Sequence, residues 1–277
     1  MVVVHFACLT FDFDALSSWL YRGLTTPTAI SRGEFGAFAV PRLLELLARK
    51  NVSSTWFIPG HTIDTYPEAC GEVVAAGHEV GHHGYLHEPP AELDSREREA
   101  AVLERGIECI RRLTGKPPRG YRSPSWDLSP HTVDLLLEHG FGYDSSLMAT
   151  DHQPYAARRG DRMSAQETVF GEPTRLLELP VSWSLDDYPH FEYVRAPRGP
   201  QPGLMWAGGV LENWVGDFRF LTQAADRGVL VYTFHPEVIG RGHRMLLLER
   251  LIDELEALGA NFVRMEEAAE EFADCLP

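Results

Sequence analysis

The chain has 277 residues, 44% of them hydrophobic, and sets 25 Lys and Arg against 40 Asp and Glu for a formal charge of −15. The length allows a large core, while the charge repels phosphate backbones and anionic lipid, so nucleic acid and membrane surfaces are poor partners. No stretch approaches the ~20 apolar residues that cross a bilayer.

The elements are read in chain order from periodicity and end signals. Met1 leads directly into Val2-Val3-Val4-His5-Phe6, with no Lys or Arg before Arg22. That is not the basic start of a secretory leader, so Val2–Leu9 reads as a first strand and the expected address is the cytoplasm. Thr10-Phe11-Asp12-Phe13-Asp14 then puts two carboxylates two residues apart at the strand's end. Leu20–Gly36 is polar and Gly- and Arg-rich, and is expected to be a long loop. A helix is expected to begin at Pro41, a favoured first position, and to bury Leu43, Leu44, Leu46 and Leu47. Strands Ser54–Ile58 and His78–Gly81 follow. His82-His83-Gly84-Tyr85-Leu86-His87 leaves the second of these with two imidazoles, His83 and His87, four apart.

A helix over Arg96–Leu113 aligns Leu103, Ile107 and Ile110 on one face and stops at Gly115. Strand Arg119–Arg122 runs into Ser123-Pro124-Ser125-Trp126. Ser129 as cap and Pro130 at the first position predict a helix through Val133, Leu135, Leu136 and Leu137, ending at Gly140. Strand Tyr143–Leu147 precedes a second long polar stretch, Ala149–Thr174. Stretches this long are usually functional or disordered, and both are candidates for substrate-covering lids or, equally, for subunit contact or surface elaboration. Strands Leu176–Pro180 and Val229–Phe234 flank a helix over Val210–Ala225, and His235 directly follows the second strand. Gly240-Arg241-Gly242-His243-Arg244 reads as a turn into helix Met245–Leu258. Strand Asn261–Arg264 and the amphipathic Glu266–Phe272 close the chain. Cys8, Cys70, Cys109 and Cys275 form no CxxC pair and are expected to be small buried apolar residues.

Seven or eight βα units predict an α/β fold, a single catalytic domain over 1–277 built as a distorted or incomplete (β/α) barrel of 7–8 parallel strands. In such barrels chemistry sits at the C-terminal ends of strands. Asp12, Asp14, His83, His87, Arg122 and His235 all fall there, on one rim. Two His and one carboxylate, with a position left for water, is the ligand set of hydrolytic zinc sites, and a spare carboxylate beside it supplies a base. His5, His61 and His82 are surplus to that set. Trp126, Trp183 and Trp206 are candidates for a ring-binding wall or for the core.

Taken together these segments resemble the polysaccharide deacetylase family, carbohydrate esterase family four. The usual Thr-Phe-Asp-Asp-Gly motif reads here Thr10-Phe11-Asp12-Phe13-Asp14, with one residue between the acids, a form similar to a branch that includes allantoinase-like and cyclic-imide-hydrolysing members. His-x-x-x-His matches His83 and His87, Arg-x-Pro matches Arg122-Ser123-Pro124, and the last motif matches Phe234-His235-Pro236. Trp56-Phe57-Ile58-Pro59-Gly60-His61 and Gly77-His78-Glu79-Val80-Gly81 resemble the same branch. Ser125 stands where an aromatic residue is common. A further motif has no clear match, Trp183 and the Asp186-Asp187 pair being nearest.

The resemblance implies one divalent metal ion, foremost zinc, held by Asp14, His83 and His87. Asp12 becomes the base, Arg122 its positioning partner and His235 the acid that protonates the departing nitrogen. A backbone amide near Ser125 faces the oxyanion, and Tyr85, Pro124, Ser125, Trp126 and Trp183 become substrate contacts. The implied reaction is hydrolysis of a non-peptide carbon–nitrogen bond by a homo-oligomeric enzyme. Its substrate is a small molecule or an oligosaccharide: an N-acetyl sugar, a small soluble amide, or a cyclic imide or ureide. The competing class is a non-catalytic metal- or sugar-binding protein.

Overall fold

The computed structural model describes residues 3–196, 199–201 and 203–277. Strand β1 (Val4–Asp12) leads to helices α1 (Ser17–Tyr21) and α2 (Pro27–Lys50), and β2 (Thr55–Ile58) to α3 (Gly60–Thr65) and α4 (Pro67–Ala75). Then come β3 (Glu79–His82), α5 (Arg96–Thr114), β4 (Gly120–Tyr121), α6 (Thr132–Glu138), β5 (Tyr143–Asp144) and β6 (Tyr155–Arg159). The hairpin of β7 (Arg162–Met163) and β8 (Thr168–Val169) precedes β9 (Glu172–Glu178) and α7 (Asp187–Phe191). After the hairpin of β10 (Val194–Ala196) and β11 (Gly199–Gln201) the chain runs through α8 (Ala207–Ala224), β12 (Arg227–Phe234), α9 (Pro236–Ile239) and α10 (Gly242–Ala257). It ends in β13 (Ala260–Phe262) and α11 (Met265–Glu271).

The main sheet runs β12-β1-β2-β3-β4-β5-β9-β6, with β13 also on β1, and curls into an incomplete barrel. Its neighbours are parallel from β12 to β9. The expected α/β architecture therefore holds, with one departure: β6 pairs antiparallel to β9 and leaves that edge open. Across the opening, the Val229 N–H donates to the His152 carbonyl at 3.0 Å, and Asp186 makes an isolated bridge to Thr233. No helix among the described residues is long and apolar enough to cross a membrane.

Both long stretches expected to be loops are largely ordered. Ala149–Thr174 contains β6 to β8 and the start of β9, turn-rich sequence whose strands are too short to register as alternation. Within 20–36, Thr26 caps α2, its hydroxyl accepting the Ala29 N–H at 3.5 Å, and Pro27 rather than Pro41 takes the first turn. Pro41 lies inside the helix on its solvent face, where the missing N–H costs least. The glycines that suggested a loop admit a neighbour instead. A Cβ at Gly33 would stand 2.8 Å from the Ala15 carbonyl, so α2 packs directly on the turn that leaves β1. Helix α6 starts at Thr132, two residues after Pro130, with the Ser129 hydroxyl accepting the His131 N–H at 2.9 Å. Val2, the expected start of the first strand, lies outside the described residues. Gly240–Arg244 is the expected turn, spanning the end of α9 and the start of α10. The cysteines are free; Cys8, Cys70 and Cys109 are buried and Cys275 is half-buried.

Beyond β1 the chain stays extended for one more residue, the Phe13 N–H donating to the Phe57 carbonyl at 2.9 Å. Alternation then sends Phe13 one way and both acids the other. Phe13 is fully buried, edge-on to Trp56 at 6.1 Å. Phe13→Ala is expected to destabilise the fold by about 3–5 kcal/mol through the cavity it leaves, read by urea denaturation. A loss below about 1 kcal/mol would mean that this side chain is not a core plug.

Candidate active site

Each chemical group reaches the rim by its own local device. Strand alternation delivers Asp12 and Asp14. His83 and His87 lie on no helix; the turn after β3 brings them together, with φ of 70° at Gly84 and 64° at His87. Glu88 braces this turn by accepting the Tyr85 and Leu86 amides at 3.2 and 2.6 Å. The rings of His83 and His87 meet at 5.1 Å, and both residues are buried.

One ligand atom from each of Asp14, His83 and His87 falls within 4.8 Å of the others. Asp14 Oδ2 is 3.1 Å from His87 Nε2 and Asp14 Oδ1 is 3.4 Å from His83 Nε2. Burial opposes charge on Asp14, but His87 and then His83 hold its carboxyl well below the usual range. Burial in turn lowers the pKa of His83, against the pull of Asp12 and Asp14, so its imidazole is neutral at neutral pH. Its Nδ1 is 2.8 Å from the Arg122 carbonyl, which fixes that nitrogen as the donor and leaves Nε2 as an electron-pair donor toward Asp14. Asp14 Oδ1 is buried without a hydrogen-bond partner. Two buried imidazoles and an ionised carboxylate with an orphaned oxygen are the donor set a divalent cation takes.

Asp12 stands beside this triad, Oδ2 3.8 Å from His83 Nε2. Its Oδ1 accepts from Arg122 Nη1 at 2.8 Å. Arg122 is fully buried and bonds Thr10 Oγ1 at 2.7 Å, the Ser145 carbonyl at 3.1 Å and Ser145 Oγ at 3.0 Å, with the Phe57 ring 4.2 Å away. Behind it, Asp144 and Glu178 are buried together. Burial raises both, Asp144 to about 6, and Glu178 accepts the Ser146 and Leu147 amides at 2.8 Å each. These bonds fix the segment that holds Arg122.

His235, at the end of β12, is gripped by Asp187. Its backbone N–H lies 3.1 Å from both Asp187 oxygens and its Nδ1 2.8 Å from Oδ1, with Asp186 at 3.6 Å. Burial would discharge the ring, but Asp186 and Asp187 overcome it and hold the imidazolium well above the ordinary histidine range. Burial and then Asp187, opposed by His235, push Asp186 up to about 7. Asp12, Asp14, His83, His87, Asp186 and His235 line a cavity of about 180 Å³, walled by Trp126 and Trp183 with ring centroids 4.3 Å apart, and by Ser125, Tyr188 and Arg22. Ser125 and Trp126 are consecutive left-handed residues, φ 57° and 53°, a strain of the kind stored at functional sites.

Over 94% of its length the chain is 37% identical to a peptidoglycan deacetylase of Helicobacter pylori, of which it covers 94%. The chain belongs to the polysaccharide deacetylase family. The family pattern itself matches residues 27–143. A solved structure from Mycobacterium smegmatis, described as a polysaccharide deacetylase, superposes with a TM-score of 0.86 at 33% identity, covering 100% of this chain and 93% of that one. The fold is shared also with the allantoinase PuuE, at a TM-score of 0.75 and 20% identity over 98% and 90% of the two chains.

In this polysaccharide deacetylase homologue the six rim residues converge as their order suggested, and Ser125, Trp126 and Trp183 line the cavity. Tyr85 does not turn that way: its hydroxyl donates to Asp64 at 3.1 Å and its ring lies against Arg105 at 3.3 Å. Pro124 packs behind, 3.2 Å from where a Cβ on Gly84 would be. Trp206 is exposed at the start of α8. His82 faces the Leu103 carbonyl at 3.0 Å and His5 the Ala225 carbonyl at 2.8 Å, both away from the triad. Tyr188 and Arg22 were not legible as site residues, and Asp187 only as half of the acid pair nearest the unmatched motif. Adjacent acids after a strand-like run were the available signal for Asp187, but its partner is 48 residues away. Asp187→Asn is expected to lower the His235 pKa, read from the imidazole NMR titration. An unchanged titration would show that Asp187 does not hold the imidazolium.

Proposed function

We propose that residues 1–277 form a single catalytic domain, a metal-dependent hydrolase of non-peptide carbon–nitrogen bonds. Its substrate is an acetamido group of a sugar or a small soluble amide. One observation carries this reading: a ligand triad, a carboxylate held by a buried arginine and a histidine–aspartate pair all face one cavity.

Asp14, His83 and His87 would hold the cation, with zinc favoured by the nitrogen-rich set. A divalent ion there lowers the pKa of water toward ~7 and polarises the scissile carbonyl. Asp12 accepts the proton of the attacking water, and Arg122 keeps its free oxygen aimed at the cavity. Ser125 lines the cavity in a left-handed conformation, and a backbone amide there would serve the developing oxyanion. His235 is tethered through Nδ1, so Nε2–H is the proton it can deliver to the departing nitrogen, which leaves poorly until protonated.

Ring opening of a cyclic imide or ureide is the second reading. The cavity favours it, since about 180 Å³ is small beside the ~300–1,000 Å³ of typical ligand pockets. The fold shared with an allantoinase agrees with it.

His83→Ala and His87→Ala are expected to lose stoichiometric metal after dialysis, whereas Asp12→Asn keeps it and loses about 10²–10⁴ in kcat. Retained metal in both histidine variants would remove the ligand assignment; unchanged turnover in Asp12→Asn would remove the base. Turnover of N-acetylglucosamine oligomers, succinimide, hydantoin and allantoin, before and after chelation and zinc return, separates the two chemistries. Acetate release marks the deacetylase and ring opening the cyclic-amide hydrolase. No zinc-dependent turnover of any of them would count for a non-catalytic binder.

A further inference from the structure

Each carboxylate that lines the cavity has a basic partner. Asp12 faces Arg122, Asp186 stands 3.6 Å from His235, and Asp14 faces His83 and His87. Arg22 is left over. It caps the end of α1, is exposed, and lines the cavity together with the ligand triad. Of the described residues that line it, Arg22 alone carries a permanent positive charge. Among the described residues it makes no ion pair, and the masked ones (Met1, Val2, Pro197, Arg198 and Pro202) include no acid.

The guanidinium is nevertheless held. Nη1 donates to the Tyr188 hydroxyl at 2.9 Å, and its carbon lies 5.5 Å from the Tyr188 ring centroid. Tyr188 is itself fixed, its N–H donating to Asp186 Oδ1 at 2.8 Å, and its ring meets His235 edge-on at 5.1 Å. One nitrogen is thus anchored, the remaining donors have no hydrogen-bond partner among the described residues, and the Tyr188 ring that holds the guanidinium also touches His235. A planar guanidinium fixed at one corner is suited to take a carboxylate.

We infer that Arg22 is a specificity residue that binds a carboxylate on the nitrogen-bearing half of the substrate. The preferred substrate is therefore an anionic amide rather than a neutral one. The inference rests on the hydrolase reading for its placement beside the departing nitrogen, but an anion subsite can be read by binding alone.

Two matched pairs test it, each carrying the carboxylate on the side of the departing nitrogen: N-acetylglucosamine against its 3-O-carboxyethyl ether, and hydantoin against hydantoin-3-acetate. The zinc-loaded wild-type protein is expected to favour the carboxylated member of at least one pair by about 10- to 100-fold in kcat/KM, carried by KM, the range of a charge-assisted hydrogen bond. In Arg22→Gln that ratio should collapse toward one, and Arg22→Lys, which keeps charge without the fork, should fall between. A ratio near one in the wild type, or one unchanged in Arg22→Gln, overturns the inference. If no member of either pair is turned over, the hydrolase reading fails for these substrates. Calorimetric affinity for the same pairs then decides: a carboxylate preference lost in Arg22→Gln supports the subsite, and none refutes it.

Discussion

A guanidinium with no access to water sits at the centre of this fold. Taking a charge out of solvent costs several kcal/mol unless its donors are met, and Arg122 finds its acceptors on two different strands or their ends. Thr10 and Asp12 come from β1, Ser145 from the end of β5, and Phe57 of β2 lies against the guanidinium. These groups meet only if β1, β2, β4 and β5 are in their observed parallel registers. The ion pair is therefore also a register lock, and the same bond that neutralises Arg122 aims Asp12 at the cavity. Its backbone carbonyl performs a second task by fixing His83.

The remaining charges follow the same economy. Asp14 is ionised among imidazoles, Asp187 is matched to His235, and the two carboxyls behind Ser145 hold backbone amides. Few of the buried groups are idle. Those that lack partners are informative: Asp14 Oδ1 belongs to the candidate ligand cluster with His83 and His87, while both oxygens of Glu237 are buried without a partner beside α2, where burial, reinforced by Asp14, pushes its pKa to about 8. A carboxyl that stays neutral at pH 7 can be kept in such a place, whereas an ionised one could not.

The aromatic residue between the two acids links the site to the core. In the alternation Asp12, Phe13, Asp14, the inward ring secures the end of β1 against Trp56 while the acids share one side. The separation lets one acid serve Arg122 and the other the imidazoles. The candidate ligand triad and the proposed base are therefore distinct groups, and the hydrophobic packing of Phe13 keeps them so.

Sequence alone determined the parallel βα framework, the single rim and the six residues upon it. These rest on short-range rules: apolar runs make strands, carboxylates two apart share a face, and barrel chemistry gathers at strand ends. It misjudged 20–36, because glycines that admit the Ala15 backbone to α2 look like glycines that break a helix. The antiparallel β6 was likewise hidden, since an open sheet edge is a property of neighbours. Tertiary structure alone decided that Tyr85 turns to Asp64, that Asp187 grips His235 and that Arg22 looks into the cavity. Each of those depends on a partner far along the chain, 48 residues for Asp187 and 166 for Arg22 to Tyr188, and no local pattern encodes such a distance.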